Sequence, residues 1–195
     1  MHDWVNQKYL KSKEVLRLKF SKAKPFAHLV LADFFSKRLV QVQNALLREE
    51  FSEQNSDLFQ FRQTKDIKLC EDALLREFHS FFSSPSFIKF IADITGETLH
   101  SIDMSGFIYG DTDYLLPHDD RLEGRKVAYV VQMSSGFTKR DGGALQFFDK
   151  NKVVKSFIPS FGALCLFKVS AKSVHQVQEI LSDKKRVTFA GWFHG

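Results

Sequence analysis

Cysteine is nearly missing from this 195-residue chain, which has two copies, Cys70 and Cys165. They lie far apart in apolar surroundings. That excludes a zinc cluster and a disulfide framework, and it fits a reducing compartment. No apolar run reaches membrane-spanning length, and the N-terminus lacks the apolar stretch of a signal peptide. There is no internal repeat and no low-complexity segment. A soluble intracellular protein, cytoplasmic or nuclear and without membrane association, is therefore expected. A defined nucleic-acid motif is also missing. The net charge of +5 and the pI near 9.1 then read as a solvated basic face, and direct nucleic-acid binding is not expected.

Phenylalanine, in contrast, is abundant at 21 residues, which predicts a core packed by aromatics. At 22.5 kDa the chain has material for one core and one domain. Residues 1–24 carry Lys8, Lys11, Lys13, Arg17, Lys19, Lys22 and Lys24 against Asp3 and Glu14. They read as a basic helix or extension with Leu10, Val15 and Leu18 facing inward. Beyond Pro25, the stretch Phe26–Leu31 predicts a strand. Asp33 or Ser36 then caps a helix in which Phe35, Leu39, Val42 and Leu46 recur at helical spacing. Ser52 to Gln63 reads as a loop with a short strand at Leu58–Phe61. A second amphipathic helix starts at Asp66, with Ile67, Cys70, Leu74, Phe78 and Phe81 on one side. A third runs from Phe87 to near Gly96. His28 and His79 fall within these elements as structural histidines with satisfied rings.

From His100 the pattern changes to short β-rich runs between turn residues: 102–109, 115–118, 127–133, 144–148, 153–158, 163–167, 174–176 and 187–193. Such spacing predicts a small barrel or jelly roll. The fold class is α+β, with helices in about 33–96 packed on one sheet of a barrel in about 100–195, all within one domain over 25–195.

One stretch of that barrel carries chemistry. Leu115-Leu-Pro-His118-Asp-Asp120 places an imidazole and a carboxylate two residues apart, on one face of a strand. The pair makes two-thirds of the facial triad that binds non-heme Fe(II), and His175 is the distant histidine that completes it. Eleven positions later Arg186 opens the run to Phe193, with Thr188, Ala190 and Trp192 on its own face and directed inward. A facial triad leaves positions open for a chelating keto acid and for molecular oxygen. A buried guanidinium fork suits the far carboxylate of that acid, 2-oxoglutarate.

Four segments together resemble the ribosomal prolyl hydroxylases of the Fe(II)/2-oxoglutarate oxygenase superfamily: Leu115–Gly124, Ser156–Ser160, Ser173–Val177 with Glu179, and Gly191–Gly195. Ser56–Gln63 resembles that group's substrate-side segment. The resemblance spans roughly Pro25 to Gly195 and implies a double-stranded β-helix of the cupin-like kind. It implies His118, Asp120 and His175 as iron ligands. It further implies Arg186 and Tyr109 at 2-oxoglutarate, and hydroxylation of a proline in a small-subunit ribosomal protein at the decoding centre, with ascorbate in support. Gln132 stands where similar proteins place a tyrosine that bonds the cosubstrate; an amide can also donate to a carboxylate. Similar eukaryotic proteins usually continue into a second, non-catalytic barrel beyond the position of Gly195. Asp119 is expected to point away from the metal, and loop 134–142 to flank the entrance. Trp192 replaces the second arginine of the nucleic-acid demethylases, and Asp120 excludes a halogenase. A barrel that binds a ribosomal or other basic protein without turnover is the alternative from another class.

Overall fold

The apolar periodicity of the first half resolves into short helices, mostly started by side-chain caps, in a computed structural model that describes residues 3–195. Helix α1 (Gln7–Leu10) follows Asn6, whose side chain accepts from the Lys8 amide. Helix α2 (Lys13–Lys22) buries Leu16 and Phe20, one turn apart on one face. That stripe faces inward instead of the expected one, since Val15 and Leu18 are 52% and 55% exposed. Leu10 does pack against the core, and Trp4, Val5, Leu16 and Phe20 belong to it. The lysines of the basic opening all lie on the exposed side.

Strand β1 (His28–Leu31) and helix α3 (Leu39–Leu46) follow, but neither Asp33 nor Ser36 caps α3: Arg38 stands at its N-cap without a side-chain bond, and Phe35 lies before it. The predicted loop is a hairpin of β2 (Ser52–Ser56) and β3 (Phe59–Gln63). Its first strand, Ser-Glu-Gln-Asn-Ser, has no apolar residue and so shows no alternation. The helix expected from Asp66 is broken. Asp66 caps a single 3-10 turn, Ile67–Leu69, and Asp72 caps α4 (Ala73–Phe82) by accepting from the Leu74 and Leu75 amides. Each aspartate starts its own turn because each side chain satisfies amides the chain would otherwise leave orphaned. Ser84 caps α5 (Pro85–Thr95), Pro85 sits in its first turn, and Gly96 ends it at φ 75°.

The second half forms β4 (Ser101–Ile102), β5 (Ser105–Tyr109), β6 (Tyr114–His118), β7 (Arg125–Gln132), β8 (Leu145–Asp149), β9 (Lys152–Phe157), β10 (Leu164–Lys168), β11 (His175–Val177) and β12 (Arg186–His194). Each predicted run becomes a strand, the first of them split into β4 and β5. The strands join one 12-stranded antiparallel sheet in the order β1-β10-β7-β12-β5-β3-β6-β11-β8-β9, with β2 on β3 and β4 on β12. The sheet curls until its ends face each other. Phe26, just before β1, lies 4.6 Å from Phe147 of β8, and His28 lies 5.7 Å from Phe157 of β9, ring to ring. This is the expected double-stranded β-helix with helices on one face.

Strand β12 shows how the two layers divide. Val187, Phe189 and Phe193 face the helices, while Arg186, Thr188, Ala190 and Trp192 face the barrel interior. Phenylalanine fills the helix side: Phe78 lies 5.4 Å from Phe189, Phe82 lies 5.0 Å from Tyr129 and Phe87 lies 6.3 Å from Phe193. His28 is satisfied through Nδ1, 2.8 Å from the Phe26 carbonyl. His79 departs from expectation, because its Nε2 is buried without a partner. Cys70 and Cys165 are buried free thiols. Burial pushes their pKa values up to about 11 and about 12.

Phe82 is fully buried and meets Phe35, Phe78, Phe81, Phe87, Tyr129 and Phe193. Phe82→Ala is expected to cost about 3–5 kcal/mol in urea-induced unfolding. A loss under 1 kcal/mol would mean that the helices are not fastened to the sheet through these rings.

Candidate metal centre and active site

Strand β6 meets β11 with Leu115 opposite Val177 and His118 opposite His175. Three steps on β6 match two on β11, so one extra residue bulges out of β6 between them. Leu115 faces the barrel interior, while Tyr114 and Leu116 line a groove on the outside. In a regular strand a residue three beyond Leu115 would point outward. The bulge turns His118 inward. Asp120 lies past the strand end at φ 64°, a left-handed turn that aspartate tolerates better than most residues. The two side chains thus converge through a bulge and a turn, and not because alternate residues of one strand share a face. His175, first residue of β11, is held between Phe147 of β8 and His118 of β6.

Each imidazole is oriented from behind. Nδ1 of His118 lies 2.8 Å from the Leu116 carbonyl, and Nδ1 of His175 lies 2.8 Å from the Ser173 carbonyl. Nδ1 therefore carries a proton in each ring, which leaves Nε2 as the atom that faces Asp120. The Nε2 atoms of His118 and His175 stand 3.3 Å and 3.4 Å from the two carboxylate oxygens of Asp120. Ligands at right angles on an octahedral ion with bonds of about 2.1 Å are about 3 Å apart, so the set fits an Fe(II)-sized ion on one face. All three ligand atoms lie within 4.8 Å of one another.

The electrostatics agree. Burial alone would raise the Asp120 pKa, but hydrogen bonds and charge from both histidines outweigh it and hold the carboxyl well below its usual range. Burial pulls His118 down, and the Asp120 carboxylate more than reverses this. Two imidazole edges aimed at one carboxylate call for positive charge between them. Asp119 turns away as expected: its carboxylate pairs with Arg121 Nε at 2.8 Å. Its carbonyl lies 3.2 Å from the Ser173 hydroxyl, which ties the two ligand-bearing segments together.

Deeper in the same cavity, of about 430 Å³, lie Tyr109, Arg186 and Thr188. Arg186 is only 2% exposed, and its Nε has no hydrogen-bond partner. Burial lowers its pKa, yet a guanidinium stays charged at neutral pH. Its nearest attractive neighbour is the Tyr109 ring, with the guanidinium carbon 5.1 Å from the centroid. Tyr109 is itself kept a neutral phenol by burial. A buried cation with an unpaired N–H calls for an anion, and the cavity leaves room for one.

Of the six side chains named from sequence, five line this cavity: Tyr109, His118, Asp120, His175 and Arg186. Gln132 sits on β7 opposite Thr188. It is buried and its Oε1 has no partner, but it is not part of the cavity wall. Sequence reasoning missed Arg125, whose guanidinium carbon lies 3.3 Å over the Trp192 ring at the cavity edge. No periodicity relates a residue on β7 to one on β12. Only the strand pairing of Ala128 with Trp192 brings them together. Loop 134–142 contributes no side chain to the cavity wall; its Phe137 packs against the apolar cluster of Tyr109, Val177 and Ile180.

Comparison with known proteins agrees with this geometry. Residues 104–194 match the model of the 2OG-Fe(II) oxygenase superfamily. The chain is 38% identical to prolyl 3-hydroxylase OGFOD1 of Xenopus laevis over 88% of its own length and 35% of that protein. It is 31% identical to prolyl 3,4-dihydroxylase OGFOD1 of Ostreococcus tauri over 85% of its length and 36% of that protein. The chain thus spans about a third of the curated relatives it matches. Among solved structures, a prolyl-4-hydroxylase of Pseudomonas putida shares the fold at a TM-score of 0.76 and 19% identity, covering 92% of this chain and 98% of that one. With the triad and a buried arginine in one barrel, residues 104–194 form a 2OG-Fe(II) oxygenase domain, whose cofactor set is Fe(II) and 2-oxoglutarate.

Proposed function

We propose that this chain hydroxylates a prolyl residue of a protein, with a small-subunit ribosomal protein as the substrate. The observation that carries the oxygenase chemistry is a partnerless buried guanidinium in the same cavity as three converging metal ligands. The prolyl specificity rests on the names of the relatives, a prolyl 3-hydroxylase and a prolyl 3,4-dihydroxylase. The ribosomal substrate rests on the resemblance of the segments around His118, His175 and Trp192. A cytoplasmic or nuclear location goes with that substrate. Among the described residues no helix is long and apolar enough to cross a membrane.

In this reading His118, Asp120 and His175 hold Fe(II), and Arg186 pairs with the far carboxylate of 2-oxoglutarate. Bound together, metal and cosubstrate supply an oxidation in which one oxygen atom of O2 ends in succinate and the other in a prolyl C–H bond, with carbon dioxide released. The rest falls to the protein. Carbonyls 116 and 173 fix both imidazoles by their Nδ1 protons, so the rings turn no further when ligands exchange. Tyr109 flanks the guanidinium as an un-ionised phenol and adds no competing negative charge. Trp192, with an unpartnered Nε1–H, and Arg125 stacked on it form part of the cavity wall and are available to a bound peptide. Burial of the cavity strengthens each of these polar contacts by keeping water out. In this reading Gln132, on β7 opposite Thr188, stands in for the tyrosine of similar proteins, and ascorbate serves to keep the iron reduced.

Metal binding is tested first by thermal unfolding with Mn(II) as an inert stand-in. At one hundred times its Kd the ion is expected to add about 2.7 kcal/mol of stability, reversed by EDTA and lost in His118→Ala and Asp120→Ala. Equal shifts in wild type and variants would put the ion elsewhere. The activity is tested by succinate release on admitting oxygen to Fe(II)-loaded protein with 2-oxoglutarate. The reaction is run with and without a proline-containing peptide from the decoding-centre protein, and peptide mass is recorded. Coupled turnover with a mass gain of one or two oxygen atoms is expected. Succinate without peptide oxidation would keep the oxygenase and reject the substrate, and no succinate would favour a binding module.

A further inference from the structure

The segment between β7 and β8 does not return directly to the sheet but crosses behind Arg186. It is fastened on both sides of that residue. The Val187 amide donates to the Ser134 hydroxyl at 2.7 Å, and the same hydroxyl lies 3.3 Å from the Lys185 carbonyl. Phe137 enters the apolar cluster of Tyr109 and Ile180. Gly143, at φ 69°, lies flat against the arginine stem: a Cβ there would come 3.5 Å from Arg186 Cδ and 2.6 Å from Ile180 Cδ1. No other residue type offers so thin a wall at a left-handed position.

A latch holds this wall shut from outside. Lys184 Nζ reaches Asp141 at 2.9 Å and the Gly136 carbonyl at 2.6 Å, and lies 5.7 Å over the Phe137 ring. Asp141 in turn accepts from the amide and hydroxyl of Thr138, both at 2.7 Å. An arginine with an unpaired buried N–H tends to move its head toward water wherever its surroundings give way. Here the stem is clamped by Gly143 while the backbone on either side is tied to Ser134.

We propose that segment 134–143, latched by Lys184 and Asp141, is a positioning element that fixes the depth of Arg186. By doing so it sets how long a dicarboxylate the cavity accepts. This rests on the reading of Arg186 as the partner of 2-oxoglutarate. A rigid guanidinium at one depth meets the five-carbon acid and rejects the six-carbon 2-oxoadipate, whereas a loosened one binds the first less well and yields to the second.

The test is calorimetric titration of the Mn(II)-loaded full chain with each acid, beside thermal melting. Wild type is expected to prefer 2-oxoglutarate by about tenfold or more, the discrimination that one methylene allows in a shaped pocket. Phe137→Ala and Lys184→Met are expected to weaken 2-oxoglutarate and to narrow the preference to about threefold or less. Lys184→Arg, which keeps the charge, restores it. A merely structural role would lower the melting temperature without changing the ratio. If Phe137→Ala fails to fold, the half-exposed latch still decides through Lys184→Met and Asp141→Asn. Wild-type affinities and ratio in the latch variants would overturn the proposal. Failure of wild type to bind 2-oxoglutarate, or full binding by Arg186→Met, would instead overturn the reading beneath it.

Discussion

A carboxylate buried between two imidazole edges is the constraint on which the rest of this barrel depends. Asp120 is an expensive residue to bury unless positive charge or donors meet it from the cavity side. His118 and His175 do so from two neighbouring strands, and His118 faces inward through the bulge in β6. The pairing of β6 with β11 therefore gives up its regularity at this point, and Ser173, just before β11, is fastened to the Asp119 carbonyl just after β6. Local disorder in the ladder and chemical order at the site are the same event.

Around that irregular end the remainder is conventionally packed. Between the twelve strands and four longer helices, aromatic rings pack among aliphatic side chains, with Phe78, Phe82 and Phe87 set against Phe189, Tyr129 and Phe193. Large rings with defined edge and face contacts fix the height of the helices over the sheet. The helix-facing residues of β12 alternate with the cavity-facing ones, so this packing also fixes Arg186, Thr188 and Trp192. Helix layer and cavity are coupled through β12 and, by the same alternation, through its neighbours β5 and β7.

Much of this was legible in the sequence, for reasons that differ between elements. Strand alternation gave the barrel runs, and the inward face of β12 followed from it without further information. Helix periodicity identified α3 to α5 but missed the break at Cys70, where a second capping aspartate outbids the apolar repeat. It also chose the wrong stripe of α2, since Val15 and Leu18 lie as plausibly at helical spacing as Leu16 and Phe20. Strand β2 was invisible because a polar edge strand carries no pattern. The His-x-Asp pair was found by residue type and order, while the reason given for its convergence was wrong. A bulge and a left-handed aspartate follow from long-range pairing with β11, which no local spacing encodes. Arg125 went unnoticed for the same cause, being neighbour to Trp192 only across the ladder.

The two buried thiols have a consequence for a protein proposed to bring dioxygen to iron. Sulfur is oxidised most readily as an exposed thiolate, and the first lesions in such enzymes fall on whatever sulfur the oxidant can touch. Cys165 sits in the barrel near enough to Arg186 to feel its charge, yet it is 2% exposed and protonated at any physiological pH. Met104 and Met133 are buried completely. Sulfur is kept out of solvent throughout the described chain, which would protect this fold from stray turnovers of the proposed reaction.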